Sequence, residues 1–381
     1  MSMSTREGSG SILPEGNKAL FITGRAVITP LQELEEGAVL LREGKIEAVG
    51  AMDSPHDAEV HRFKDCLILP GFIDIHFHGA LGVNFNEGDL HSAIRALGAH
   101  LARGTTSCLP TLMTAPYGTI ARAIVSLRGV HGDIPEVLGV NLEGPFISEE
   151  KKGVHDREFI RMVPRGEMEQ LIALSGGAIR IVTVAPEKEG ALDFISFLCS
   201  RGIIASAGHT NADYDKMQEA AKRGVRLATH LFNAMRGIHQ REPGAAGALL
   251  VNDEVYTELI ADGEHIHPAL LTIVARTKGM KRIILVTDAS PDFAVKSSAS
   301  RTKSGVLVGG TLPLPGAVRN FITHGRVELK EALRTVTLNP AELLGLEHRI
   351  GSLRPGADGD IVVADRELSV KAVFLKGRRV V

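Results

Sequence analysis

Cysteine is scarce in this chain. Cys66, Cys108 and Cys199 are the three among 381 residues, odd in number, far apart and with no Cys-x-x-Cys. That excludes a disulfide framework and a thiolate zinc site, and it points to a reducing compartment, the cytoplasm. An excess of charge of one sign is missing too. The 43 Lys and Arg stand against 45 Asp and Glu, a net charge of −2 with no basic block, which argues against a nucleic-acid partner. No apolar run reaches the ~20 residues of a membrane span, so no membrane partner is expected. Residues 1–17 are rich in Ser and Gly and lack the apolar centre of a signal peptide; they read as a disordered tail. Aromatic residues make up 4% of the chain while glycine occurs 41 times, a balance that suits an α/β protein with many strand-to-helix turns. With 44% hydrophobic and 23% charged residues, the composition is that of a globular protein with one large domain, or a large one and a small companion.

What the chain does have is histidine, 15 in all, several at the ends of apolar runs. In Gly71-Phe72-Ile73-Asp74-Ile75-His76-Phe77-His78-Gly79 a short strand ends in two histidines spaced i, i+2. Residues two apart on a strand share a face, so both imidazoles can reach one point at its tip, as a divalent metal site requires. A buried apolar strand carrying two incidental histidines has the same local pattern, and only the rest of the chain can separate the two readings.

The pattern changes twice along the chain. Residues 18–69 read as short strands and turns, and the same texture returns over 350–381. Neither segment can bury a face alone, so a small β-sandwich built from both termini is expected. Between them, over 70–349, apolar strands alternate with helical stretches. Strands are expected at 72–78, 106–111, 137–143, 179–185, 203–209, 226–230, 257–261 and 282–288, and helices at 90–102, 117–127, 167–174, 191–200, 214–223 and 268–277. Eight near-continuous apolar strands alternating with helices describe a (β/α)8 TIM-like barrel. The competing doubly wound open sheet lacks its Gly-x-Gly-x-x-Gly after an early strand.

In such a barrel the C-terminal strand ends line the mouth, and polar residues there read as catalytic. Those ends carry His76 and His78, Glu143, His209, His230 and Asp288, with Asp262-Gly263-Glu264-His265 after the seventh strand. Any one strand-end histidine has a dull explanation. Together these residues are a metal-binding set aimed at one place.

The motifs carrying these residues resemble the amidohydrolase superfamily and, more closely, its N-acetylglucosamine-6-phosphate deacetylase group. The likeness rests on Pro70-Gly71-Phe72-Ile73-Asp74-Ile75-His76-Phe77-His78-Gly79, Leu142-Glu143-Gly144-Pro145-Phe146, Ala207-Gly208-His209-Thr210 and Thr229-His230-Leu231-Phe232-Asn233-Ala234-Met235. Arg241-Glu242-Pro243-Gly244, Ala261-Asp262-Gly263-Glu264-His265 and Val286-Thr287-Asp288-Ala289 complete it, over about Leu20 to Val381. The resemblance implies that Glu143, His209 and His230 hold a principal divalent metal, zinc foremost, with iron, manganese or cobalt as alternatives. His76 and His78 would add a second ion, bridged by Glu143, or tune the first. Asp288 would be the general base and acid, and His155, in Lys152-Gly153-Val154-His155, would polarise the substrate carbonyl. Phosphate would meet Arg241, His265 and the backbone of Asn233 and Ala234, with Arg241 reaching across a homodimer interface. Val154, Asp262, Gly263, Glu264, Leu307, Val308 and Gly309 would complete the phosphosugar site. No lysine stands on the fourth strand, which disfavours the lysine-bridged members of the superfamily.

After Asp288 the chain departs from the group. Its loop is shorter and Ser-rich, and Gly310 stands where a serine is usual. Three functions follow: metal-dependent deacetylation of N-acetylglucosamine 6-phosphate, hydrolysis of another N-acyl amino sugar or an N-acyl-D-amino acid by the same centre, and a non-catalytic binding relative.

Overall fold

The computed structural model describes residues 19–161, 165–299, 301–303 and 305–381; the expected tail at 1–17 lies outside them. Eight parallel strands form the barrel wall: β1 (Phe72–Phe77), β2 (Thr105–Met113), β3 (Val140–Glu143), β4 (Ile179–Val184), β5 (Ile204–Ala207), β6 (Val225–Ala228), β7 (Tyr256–Leu259) and β8 (Ile283–Leu285). Each pairs with the next in chain order from β1 to β8. Closure between β8 and β1 comes just beyond the strands. The His78 N–H donates to Ala289 O at 2.8 Å and the Asp288 N–H to His76 O at 2.9 Å. At the opposite end a turn fills the seam: Ile73 N–H donates to Val336 O at 2.8 Å and Leu285 N–H to Thr335 O at 3.1 Å. The seam at the mouth is thus made by the segments that carry His76, His78 and Asp288.

The strands are buried along nearly their whole length, because helices cover the outer face and side chains fill the inner one. The surrounding helices are α1 (Leu90–Leu101), α2 (Tyr117–Arg128), α3 (Arg165–Ser175), α4 (Ala191–Ser200), α5 (Tyr214–Arg223), α6 (Gly244–Val251), α7 (Pro268–Lys278) and α8 (Leu314–Gly325). Two short helices, α9 (Leu329–Arg334) and α10 (Leu338–Leu344), follow. Ala341 and Leu344 of α10 share a buried cluster with Ile73, Leu109, Ile181, Leu227 and Ile284 from the wall. No helix among the described residues is long and apolar enough to cross a membrane.

The short α9 and α10 have no counterpart in the sequence reading, and neither do α6 and α8 of the surrounding eight, the latter two for different reasons. The α6 sequence is buried over its first seven residues, so no polar face marks a helical period. Helix α8 follows the departing loop and starts on Leu314-Pro315, proline being suited to a first turn. The expected strand 137–143 is split in two. Glu136–Val137 pairs with Ser107 and Cys108, and Gly139, at φ +143°, breaks the run before β3.

Both chain ends share one sheet outside the barrel. It comprises Leu20–Ile28, Glu33–Glu35, Ala38–Arg42, Lys45–Gly50 and Glu59–Pro70 with Ile361–Ala364, Val370–Leu375 and Arg378–Arg379. Strand Glu59–Pro70 joins the two halves, pairing parallel with Leu20–Ile28 and antiparallel with Ile361–Ala364. The chain then enters β1 through Gly71, where a Cβ would lie 2.0 Å from Thr106 Oγ1. Only glycine lets this sheet pass so close to the barrel wall.

Candidate metal centre and active-site cavity

Every strand-end residue singled out from the sequence meets at the barrel mouth. His76 lies on β1 with His78 just beyond it, and Glu143 is the last residue of β3. His209, His230 and Asp288 stand a few residues past the ends of β5, β6 and β8, with φ of +45°, +27° and +44°. A non-glycine residue in that region costs of order 1–3 kcal/mol and persists only where the surroundings impose it. Here they do. Ser148 N–H donates to His209 O at 2.8 Å, His230 N–H to Glu258 Oε2 at 3.1 Å, and Asp288 N–H to His76 O at 2.9 Å. These left-handed corners turn side chains into the mouth that a continuing strand would point into the wall.

Glu143 is the hub. Its Oε1 lies 2.8 Å from His230 Nε2, 3.0 Å from His209 Nε2 and 3.5 Å from His76 Nε2. Its Oε2 lies 3.2 Å from His78 Nε2 and 3.3 Å from His155 Nε2. Asp288 Oδ1 stands 3.1 Å from His78 Nε2 and 3.5 Å from His76 Nε2. All seven side chains are buried.

The partners of the other ring nitrogens assign the tautomers. His209 Nδ1 faces Lys151 O at 2.8 Å, and a carbonyl only accepts, so Nδ1 carries the proton. Burial pulls the His209 pKa down to about 4, which keeps the ring neutral and Nε2 a bare lone pair 3.0 Å from Glu143 Oε1. Two acceptors at that distance repel unless a cation lies between them. Atoms bound to one tetrahedral zinc sit roughly 3.3 Å apart, given ligand distances of about 2.0–2.1 Å. His76 shares only part of this arrangement: Nδ1 faces Glu258 Oε2 at 2.9 Å and its buried Nε2 has no hydrogen-bond partner among the described residues. Burial opposes charge on this ring, but Glu258 and Glu143 outweigh it and raise its pKa well above the usual histidine value. His155 is the reverse. Its Nδ1 lies 2.7 Å from Thr114 Oγ1 and 3.4 Å from the Thr114 amide, whose N–H can only donate. Nε2 of His155 therefore carries the proton and is a donor, suited to a substrate oxygen rather than a metal.

The charges follow the same division. Burial pushes Glu143 up, but the His76 and His155 rings outweigh it and hold the carboxyl well below the usual carboxylate range. Asp288 is likewise opposed by burial, yet the His78 hydrogen bond and the His76 and His78 rings bring it to about 2. For His78, burial is outweighed by Asp288 and Glu143, and its pKa rises to about 9. Carboxylates that stay ionised and raise the pKa of His76 and His78, beside a His209 ring kept neutral, describe a site that attracts positive charge. Three overlapping sets have the required closeness: His76, His78 and Asp288; His76, Glu143 and His230; Glu143, His155 and His209.

Above this cluster lies a cavity of about 450 Å³. Val154 and His155, Asn233 and Ala234, His265, and Leu307, Val308 and Gly309 line it, as the sequence reading expects. His265 is held by Asp262, whose Oδ2 lies 2.6 Å from Nδ1 and whose Oδ1 accepts the His265 and Glu264 N–H groups. Burial opposes charge on His265, but Asp262 outweighs it and raises its pKa, and Nε2 is buried without a partner among the described residues. Other expectations fall outside the cavity wall. Asp262 and Gly263 support His265 from behind, and Glu264 turns to the Ala299 N–H at 3.0 Å and to Arg301. Arg241 is exposed and does not reach the cavity of its own chain. The Asn233 N–H donates to His230 O at 3.0 Å, within the turn. A Cβ at Gly310 would lie 2.4 Å from Thr287 O, so the backbone seam leaves no room for a side chain there.

Sequence reasoning missed Glu258, Asp74 and Thr114. Glu258 and Asp74 are carboxylates inside buried apolar strands, a placement that requires partners and was a usable signal. Asp74 joins the seam, accepting the Thr287 hydroxyl at 2.6 Å, and burial lifts its pKa to about 7. Nothing in the sequence marked Thr114.

Comparison with known proteins agrees with this geometry. The sequence model of the amidohydrolase family matches residues 67–380. The chain is 35% identical to the N-acetylgalactosamine-6-phosphate deacetylase of Escherichia coli O157:H7, covering 94% of this chain and 98% of that protein. It is 32% identical to the N-acetylglucosamine-6-phosphate deacetylase of Bacillus subtilis strain 168, covering 94% and 96%. Among solved structures, a variant of N-acetyl-D-glucosamine-6-phosphate deacetylase from Mycobacterium smegmatis in complex with N-acetyl-D-glucosamine-6-phosphate superposes with TM-score 0.89 at 32% identity, covering 96% of this chain and 100% of that one.

Proposed function

Because the chain belongs to the amidohydrolase family, we propose that it is a metal-dependent N-acetylglucosamine-6-phosphate deacetylase, releasing acetate and glucosamine 6-phosphate. The observation that carries the metal chemistry is the bare His209 Nε2 lying 3.0 Å from Glu143 Oε1 at the barrel mouth. Glu143, His209 and His230 would hold the principal ion, with zinc the best match to one carboxylate and two imidazoles. His76 and His78, with Glu143 and Asp288, offer a second position. A metal bound there would supply an activated water and polarisation of the amide carbonyl.

The remaining work falls to the protein. Asp288, ionised and beside the metal positions, takes the proton of the attacking water and returns it to the amine as the C–N bond breaks. An amine leaves readily only when protonated, so one residue serves both transfers. His155, with its proton on Nε2, donates to the acetyl oxygen as negative charge develops there. His265, held by Asp262 in a form that favours the charged ring, faces the phosphate together with the Ala234 turn. Arg241 supports a homodimer reading: exposed on its own chain, it would complete the phosphate site across the interface. Leu307 and Val308 shield the mouth from water. The same reading has the enzyme working in the cytoplasm.

A second substrate has specific support, since the Escherichia coli relative that acts on the galactosamine epimer matches over nearly the whole chain. The test is a panel of N-acetylglucosamine 6-phosphate, its galactosamine epimer, the unphosphorylated sugar and an N-acyl-D-amino acid, scored by acetate or acid release. Loss of phosphate is expected to lower kcat/KM by about 10²–10³-fold, the worth of two charge-assisted contacts. Equal rates with and without phosphate would remove the substrate assignment, and the ratio between the two phosphosugars ranks the epimers.

A further inference from the structure

Glu258 is a fully buried carboxylate that none of the roles above uses. It sits on β7, in the barrel wall, where an unpaired carboxylate would cost several kcal/mol. One oxygen, Oε2, takes two hydrogen bonds: from His76 Nδ1 at 2.9 Å and from the His230 N–H at 3.1 Å. The other oxygen, Oε1, is buried with no partner among the described residues. Because a carboxylate accepts only, Nδ1 of His76 carries a proton whatever the charge of the ring, which leaves Nε2, 3.5 Å from Glu143 Oε1 and from Asp288 Oδ1, as the nitrogen a metal would take. The same oxygen braces His230 in its left-handed corner, so one group ties a histidine of β1 to the ligand that follows β6.

Without Glu258, Nδ1 of His76 would lose its acceptor, and the carboxylates of Glu143 and Asp288 would draw the ring proton to Nε2 instead.

We propose that Glu258 is a positioning residue that makes His76 a metal ligand, and so determines whether the position formed by His76, His78 and Asp288 takes a divalent ion. This rests on the metal reading given above. A carboxylate behind a histidine ligand orients the ring and raises its basicity, and its loss typically weakens metal binding by about 10–100-fold.

The test is metal binding itself. Wild type, Glu258→Gln, Glu258→Ala, His76→Ala and the His76→Ala/Glu258→Gln double variant are stripped with chelator and titrated with Co(II). Equivalents retained after dialysis, affinity in competition with a chelating dye and the visible Co(II) spectrum are recorded, with a thermal melt of each stripped protein. Wild type is expected to take up two equivalents. In Glu258→Gln the amide oxygen can still accept both hydrogen bonds, so the first equivalent is retained while the second weakens by about 10-fold; in Glu258→Ala it weakens by about 100-fold. The double variant is expected to bind as His76→Ala does, because Glu258 acts on this position through that ring. Wild-type affinity for both equivalents in the two Glu258 variants would overturn the proposal. So would loss of both equivalents together with the thermal transition, which would make Glu258 a brace for the fold alone. A wild type that takes up one equivalent refutes the two-ion reading in its own arm and this inference with it.

Discussion

Replacing Asp288 by Asn isolates the proton transfers from everything else at the site. The side chain is nearly isosteric, and its oxygen can still sit 3.1 Å from His78 Nε2. What is lost is the capacity to take and return a proton. A positioned acid or base contributes about 10²–10⁴-fold, and since one residue serves both transfers here, kcat should fall by about 10³–10⁴, or roughly 4–5.5 kcal/mol of barrier. The phosphate contact proposed for His265 is untouched, so KM should stay within about threefold, the pattern of an interaction made only in the transition state. Glu143, His209 and His230 do not include Asp288, so at least one metal equivalent should remain. In the wild type, the neighbouring rings hold the Asp288 pKa near 2 against the effect of burial. A lowered pKa leaves the carboxylate ionised at every pH above that value, so wild-type activity should show no acidic limb from this residue above about pH 4. The assay is initial-rate acetate release from about pH 5 to 9, with metal analysis and a thermal melt of each protein. Retention of more than about a tenth of kcat by a fully metallated variant would refute the acid/base argument. Loss of the principal metal together with the fold would refute it equally, by making the residue structural.

Two further predictions concern residues outside the metal cluster. Thr114→Val removes the hydroxyl 2.7 Å from His155 Nδ1, and the loss of a buried hydrogen bond of about 1–1.5 kcal/mol should lower kcat about tenfold with little change in KM. A change confined to KM would contradict the role of His155 as a donor to the reacting carbonyl. Asp360, just before the strand Ile361–Ala364, is pushed up by burial to about 6 while its oxygen accepts the Lys376 N–H at 2.8 Å. A raised folded-state pKa means that the charged form is disfavoured by folding: the cost is absent below pH 3.8, grows up to about 6 and is complete above it. Asp360→Asn keeps the acceptor without the charge, so it should stabilise the protein by up to about 3 kcal/mol at neutral pH, with the gain shrinking as the pH falls towards 4. Denaturant melts at both ends of that range check it, and a gain independent of pH would contradict the assignment.

Strand periodicity was enough to place His76 and His78 on one face, because the backbone repeat of two holds wherever the strand lies. Alternation of apolar strands with helices was enough for the barrel, and the rule that strand ends form the mouth led from there to Glu143, His209, His230 and Asp288. Family likeness supplied their roles and singled out His155. These features are local in sequence or follow from the order of elements. Others depend on which elements end up side by side. His76 and Glu258 are 182 positions apart, and His155 and Thr114 are 41 apart, so no spacing announces either pair. The left-handed corners at His209, His230 and Asp288 come from hydrogen bonds made across neighbouring strands and loops rather than from residue preference. Arg241, expected to act from across a homodimer interface, lies outside the cavity of its own chain. Residue order thus determined the wall of the barrel and the donors at its mouth. Closure of the barrel decided which nitrogen of His76, His209 and His155 faces the mouth, because a ring's tautomer is set by the atom behind it and that atom comes from another part of the chain.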